Sequence, residues 1–110
     1  YESIMPVMSK YDLGVIKEKD MKPIYMAPDS PFIMTIMDAY REHTGDTESK
    51  PLVIGGGTYA KACKGIVAFG PLFAGEPEYA HQPNECIKVE NLVLAAKIYA
   101  DVIYRLTKED

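Results

Sequence analysis

Two groups of residues carry the chemistry that this sequence offers. Gly55, Gly56 and Gly57 follow a short apolar run, Leu52-Val53-Ile54, and lead into Thr58. Glycine lets a backbone approach a ligand closely, and N–H groups gathered before a helix start carry partial positive charge, so a carboxylate suits such a turn. A tight turn that binds nothing accounts for the same residues equally well. His81 lies in Ala80-His-Gln-Pro-Asn-Glu85, the loop expected beside those glycines. Neutral imidazole is a zinc ligand, and Glu85 offers an acceptor to orient its other ring nitrogen. A zinc site needs three or four protein ligands, so by spacing alone a structural or exposed His81 is favoured.

Other chemical readings are weaker. Gly55-x-Gly57-x-x-Ala60 formally matches the dinucleotide fingerprint, but that motif requires a full crossover helix, and the next apolar run starts at Ile66. No Gly-Lys-Ser/Thr closes the glycines, so a phosphate loop fails as well. His43 falls near a helix end, where a histidine faces solvent and the negative pole of the helix. Cys63 and Cys86 are too few and too far apart for a Cys-rich zinc pattern, and read as reduced, partly buried thiols.

The elements that must position these groups are legible in part. Ser30 is an N-cap acceptor and Pro31 a first helical residue. Ile33, Ile36, Met37 and Tyr40 then mark one helix face, and Gly45 ends the helix, which is expected over Pro31 to Thr44. A second helix is expected from about Glu90 to Thr107, with Leu92, Ala95, Ala96, Tyr99, Ile103 and Leu106 as its packed stripe and Lys97, Asp101 and Arg105 pointing away. Leu52 to Ile54 and Ile66 to Phe69 read as short strands covered on both faces, with one or two helical turns between them over Thr58 to Cys63. Residues 1–28 read as short extended segments broken by Pro6, Gly14 and Pro23, with Lys17-Glu18-Lys19-Asp20 a solvated connector. Alternating strands and helices predict an α/β fold with short central strands and flanking helices.

The whole-chain properties set bounds. A chain of 110 residues with 47% apolar and 25% charged residues is one globular domain rather than a disordered segment. A net charge of −4 with scattered Lys and Arg argues against a nucleic-acid partner. No apolar run reaches the ~20 residues of a membrane span, and no secretory leader pattern is present, so a cytoplasmic location is expected. Tyr1-Glu2-Ser3 lacks an initiator Met, as a piece of a longer protein would.

Three motifs in order carry a resemblance: Ile54-Gly-Gly-Gly-Thr-Tyr-Ala60, then Gly65-Ile-Val-Ala-Phe-Gly-Pro-Leu-Phe73, then Ala80-His-Gln-Pro-Asn-Glu85 followed by the helix Ala95-Ala-Lys-Ile-Tyr-Ala-Asp-Val-Ile-Tyr104. Together they resemble the C-terminal part of the M20 family of zinc metallopeptidases, nearest the PepV-type (Xaa-His) dipeptidases, from about Lys22 to Leu106. The resemblance implies an α/β/α sandwich catalytic domain interrupted by a lid, with residues 1–22 the end of the lid and 23–110 the returning part of the catalytic domain. It implies that His81 is a ligand of one of two zinc ions, that Gly57 and Thr58 lie near the bound dipeptide, and that Glu85 occupies a recurrent acidic position, a possible outer partner of the site. The family's His-x-Asp motif, Glu-Glu pair with the general base, further Asp ligand and lid residues have no counterpart in this sequence. A two-metal hydrolase needs them, so the 110-residue chain is expected to be inactive by itself, with no catalytic residue of its own and no tight zinc.

Two readings of other classes stand beside this one. The chain is then a stand-alone module whose glycine turn holds a small anion or peptide carboxylate, or an oligomerisation domain that self-associates through exposed apolar faces such as Ile33/Ile36/Tyr40 or Leu92/Tyr99/Ile103.

Overall fold

The computed structural model describes residues 2–16, 22–70 and 72–108; the expected connector Lys17 to Asp20 lies outside them. The first of its two long helices, α2, follows a short one, α1 (Met5–Lys10), and spans Pro31–Thr44. The Ser30 hydroxyl accepts the Ile33 amide at 3.4 Å, and Pro31 sits in the first turn. Gly45 closes the helix with φ 72°, donating its N–H to the Arg41 carbonyl at 2.8 Å. These boundaries are the ones the sequence predicts, because cap chemistry is local. The last helix, α3, spans Val89–Thr107, with Glu90 in its first turn and Arg105 in its last, charges that suit the helix dipole. Between α2 and α3 the regular structure is a 3₁₀ turn, Tyr59–Ala62, within the stretch where one or two helical turns are expected.

Among the described residues no strand is present, and the expected α/β/α sandwich with central strands is not observed. The physical reason is that a strand exists only as one side of a hydrogen-bonded ladder. Leu52 and Val53 are 87% and 97% exposed, with no described residue paired to their backbone, so an apolar run of three residues stays irregular. Ile66 to Phe69 keep a strand-like alternation: Val67 and Phe69 pack inward against the helices while Ile66 and Ala68 face solvent. They too lack a ladder partner. The extended reading of residues 1–28 also fails at Met5–Lys10, which are helical. Pro6 is tolerated in the first turn of a helix, and six residues cannot distinguish the two periods.

The core is the contact between α2 and α3, which among the described elements is the one helix pair that packs together. Ile33, Ile36 and Ala39 from α2 and Ala95, Ile98 and Val102 from α3 are its buried residues. Ala39 is fully buried, and a larger side chain there would push the two helices apart. Phe69 and Phe73 extend the core: Phe69 meets Tyr99 edge to face with centroids 5.5 Å apart, and Phe73 stacks on Tyr40 at 6.3 Å. The packed stripe of α3 is therefore Ala95, Ile98 and Val102. Of the expected stripe Ala95 is buried and Tyr99 half-buried, while Leu92, Ala96, Ile103 and Leu106 are exposed, so the packed face is turned toward Ile98 and Val102.

Asp101 and Arg105, expected to point away, instead meet the end of α2. Arg105 donates to both carboxylate oxygens of Glu42, the Nη1 contact being 3.0 Å, and its Nε and Nη2 reach Asp101 at 2.9 and 2.8 Å. His43 Nε2 lies 3.0 Å from Oδ2 of the same Asp101 carboxylate, the oxygen that Arg105 Nη2 also reaches. The last turn of α2 thus lies beside the C-terminal half of α3, and the two helices run in the same direction. The Arg105 guanidinium holds the carboxyls of Glu42 and Asp101 below their ordinary range, and for Asp101 the His43 contact adds to this. We expect Arg105→Gln to lower the melting temperature of the chain, with a smaller loss in 0.5 M than in 0.05 M NaCl because these groups are solvent-screened.

The exit from α2 is organised by Asp46. Its carboxylate accepts from the Ser49 hydroxyl and amide, the Glu48 amide and the Tyr40 hydroxyl, the last at 2.9 Å. These donors, Ser49 first, bring its pKa down to about 2. A depressed carboxylate contributes stability that is present above the unfolded-state value near 4 and lost as pH falls through the folded value. Thermal melts should therefore show the chain losing stability progressively between about pH 4 and pH 2, and Asp46→Asn should flatten that loss.

Candidate functional site

The glycine turn sits on the surface. Gly55, Gly56 and Gly57 are exposed, and nothing but the Lys61 ammonium comes within 4 Å of where a Cβ on Gly57 would lie. The turn is open to an incoming group. Thr58 has extended backbone and caps the 3₁₀ turn: its hydroxyl accepts the Ala60 amide at 3.1 Å, and its carbonyl accepts the Lys61 amide at 3.1 Å. Its side chain is thereby held against the start of that turn.

A shallow, wide-open groove lies between this cap and the segment Ile66 to Gly70. One wall is Thr58 to Ala60; the other is the alternating run that Phe69 anchors to the core. The wall is fixed from behind, since the Tyr99 hydroxyl donates to the Phe69 carbonyl at 3.1 Å. Thr58 and the 66–69 run, separate motifs in the sequence, are thus brought to one surface feature. The part played by Tyr99 is a residue that sequence reasoning missed; its place on the helix stripe gave a packing role and no hint of the hydrogen bond.

His81 sits in a tight turn. The Gln82 amide donates to Tyr79 and the Glu85 amide to Gln82, both through backbone carbonyls at 3.1 and 3.2 Å, and the Gln82 side chain donates to the Glu78 carbonyl. His81 and Asn84 adopt left-handed backbone, with φ 62° and 63°. Asparagine visits that region readily, whereas histidine there costs about 1 kcal/mol, and such strain clusters where a side chain is aimed at a task. Both His81 and Glu85 are exposed. The base of the segment is tied to α3, since Lys88 Nζ reaches the Glu76 carboxylate at 2.8 Å and keeps that carboxyl below its ordinary range.

As a metal site these residues are incomplete. Among the described residues no group of three His, Cys, Asp or Glu side chains is arranged to hold a metal ion. The donor chemistry of His81 suits one position on zinc and leaves at least two to be supplied from elsewhere. His43 is occupied by Asp101 at the far ends of α2 and α3. Cys63 and Cys86 are free and exposed, where partly buried thiols were expected. Among the described residues no helix is long and apolar enough to cross a membrane.

Comparison with known proteins gives this arrangement a context. "Putative dipeptidase YtjP" of Bacillus subtilis is 41% identical over 100 residues, covering 91% of this chain and 21% of the relative. "Putative dipeptidase" of Staphylococcus epidermidis is 45% identical over 92 residues, 84% of this chain and 19% of the relative. "Putative dipeptidase SAUSA300_1697" of Staphylococcus aureus is 37% identical over 103 residues, 94% of this chain and 22% of the relative. The chain spans about a fifth of the length of the curated relatives it matches. No solved structure gives a significant match. The model of peptidase family M20/M25/M40 matches residues 8–105, which include the glycine turn, the groove walls, His81, all of α2 and α3 as far as Arg105. The chain belongs to that peptidase family.

Proposed function

We propose that this chain is the C-terminal part of a zinc-dependent dipeptidase, to which it contributes one metal ligand and a substrate-facing turn. The observation that carries the reading is the family match over residues 8–105, together with relatives named as dipeptidases of which the chain spans about a fifth. In this reading residues 1–22 end an inserted lid and residues 23–110 belong to the catalytic domain. The exposed surface supports it: the chain presents 9498 Å² to solvent, against about 6,100 Å² for a compact protein of its mass. Its radius of gyration is 18.8 Å, against about 13 Å for a compact chain of this length. Such surface suits burial against the remainder of a longer polypeptide, with self-association through exposed apolar residues such as Leu92 and Ile103 as the rival outcome; Ile33 and Ile36, on the other face expected to associate, are already buried between the helices.

His81 Nε2 or Nδ1 is the donor that would hold zinc, with Glu85 orienting the ring through its other nitrogen. Zinc, two ions in the complete enzyme, supplies a Lewis acid and an acidified water at neutral pH. The amide of Gly57, which lies in an exposed turn, would position the dipeptide backbone, and the capped Thr58 hydroxyl would line its approach. The general base lies outside these residues, so the 110-residue chain has no catalytic group of its own. The substrate is a dipeptide rather than nucleic acid, and the exposed free thiols Cys63 and Cys86 suit a reducing, cytoplasmic setting.

The test is hydrolysis of a dipeptide panel by the complete polypeptide, followed by release of free amino acids. Turnover abolished by a chelator and restored by zinc is the expected result. Turnover indifferent to the chelator, or no cleavage of any dipeptide by zinc-loaded protein, would overturn the reading.

A further inference from the structure

We propose that Glu76 is a positioning residue for His81: through its ion pair with Lys88 it closes residues 77–87 into a loop at the start of α3, and so fixes the position of the imidazole that zinc would take up. The inference rests on the reading that His81 is a zinc ligand. The entry to the loop is anchored on α2. Phe73 packs on the core and stacks on Tyr40 at 6.3 Å. Its carbonyl accepts the Glu76 amide at 3.1 Å, and Gly75, with φ 80°, makes the turn between them. The exit is anchored on α3, for Lys88 is the N-cap residue of that helix. Lys88 Nζ reaches Glu76 Oε1 at 2.8 Å, and the Glu76 side chain is only 24% exposed. The Lys88 ammonium first, and the Asn91 side chain in the first turn of α3 after it, hold the Glu76 carboxyl below its ordinary range. A carboxylate suits that end of the helix, where N–H groups lack helical partners and Lys88 supplies no capping side chain. Both ends of the loop are thus held by contacts within this chain. Closure matters because of what the loop carries: His81 has left-handed backbone at φ 62°, a conformation that persists in histidine where its surroundings over-determine it. The bonds from the Gln82 and Glu85 amides shape the turn, and the Glu76–Lys88 pair sets where that turn stands on α3. Freedom left to the loop would be lost on coordination, so a closed loop binds metal more tightly.

The test uses the complete polypeptide with Glu76→Gln, with Lys88→Met and with both. Zinc affinity is read by competition with a chromophoric chelator, and loop closure by hydrogen exchange of the zinc-free protein. His81→Ala marks which zinc depends on the imidazole. Each single variant is expected to weaken that zinc about fivefold, the scale of one partly exposed ion pair, and to speed exchange of the Gln82 and Glu85 amides by a similar factor. The double variant should be no worse than either single one, since both changes remove the same pair. A merely structural Glu76 would weaken both zinc ions alike and lower the melting temperature of the zinc-free protein, which should instead hold within about 2 °C. Unchanged zinc affinity, losses that add in the double variant, or unchanged exchange at 77–87 would overturn the proposal. His81→Ala separates the two levels. If it keeps both zinc ions at wild-type affinity, the ligand reading fails and the role of Glu76 with it; if it loses one zinc while Glu76→Gln binds both as the wild type does, only the role of Glu76 fails.

Discussion

Replacing His81 by alanine in the complete polypeptide is expected to lower kcat/KM for dipeptides about 10³-fold and to reduce bound zinc from two ions to one. The size follows from the several kcal/mol of transition-state stabilisation that a metal supplies, at about 1.4 kcal/mol per tenfold in rate. Because His81 is exposed and its turn is held by backbone hydrogen bonds of its neighbours, the substitution should leave the fold intact. It should even relieve the left-handed backbone strain slightly if glycine is used instead, since φ 62° is free of cost for glycine. His81→Gly that is as stable as the parent but inactive would separate the ligand role from any structural one. Glu85→Gln should act through His81, with a milder loss of about 10- to 100-fold in metal affinity or activity.

The second large effect is on stability. Ile98 is the largest fully buried side chain and lies where α3 crosses Ile36 and Ala39. Ile98→Ala removes buried methylenes and leaves a cavity, and is expected to cost about 2–5 kcal/mol. With a urea m-value of about 1–1.5 kcal/mol/M for a chain of this size, the unfolding midpoint should fall by roughly 2 M, or folding should be lost. Ile103→Ala is the control, since Ile103 lies on the solvent-facing side of α3. In the 110-residue chain it should change the stability by less than about 0.5 kcal/mol. Equal losses for the two variants would mean that the packed stripe of α3 has been assigned to the wrong face.

That assignment marks where the sequence was readable and where it was not. Helix α2 was legible to the residue because Ser30, Pro31 and Gly45 act on their own backbone. Helix α3 was legible as a helix, but its apolar residues run most of the way round. Leu92, Ala96 and Ile103 have helical spacing just as Ala95, Ile98 and Val102 do, and which set is buried depends on α2. The same cause explains Asp101 and Arg105, whose partners Glu42 and His43 lie some sixty residues away in sequence. The strand reading of Leu52 to Ile54 and Ile66 to Phe69 failed because apolar, β-branched composition states a preference, whereas a strand needs a partner that these residues do not meet.

The candidate site divides along the same line. The residue types at Gly57, Thr58, His81 and Glu85 were readable because their chemistry belongs to single side chains or single turns. The groove was not, since its far wall is held by Tyr99, thirty residues beyond Phe69. Residue counting alone says that one imidazole leaves zinc short of the three or four protein ligands it needs.

We propose that these residues form a share of a metallopeptidase site and not a whole one. The direct measurement is zinc content and dipeptide turnover of the purified 110-residue chain beside those of the complete polypeptide. The expected result is no stoichiometric zinc and no turnover in the short chain, against two zinc ions and chelator-sensitive turnover in the long one. Tight stoichiometric zinc with turnover in the 110-residue chain would contradict the account.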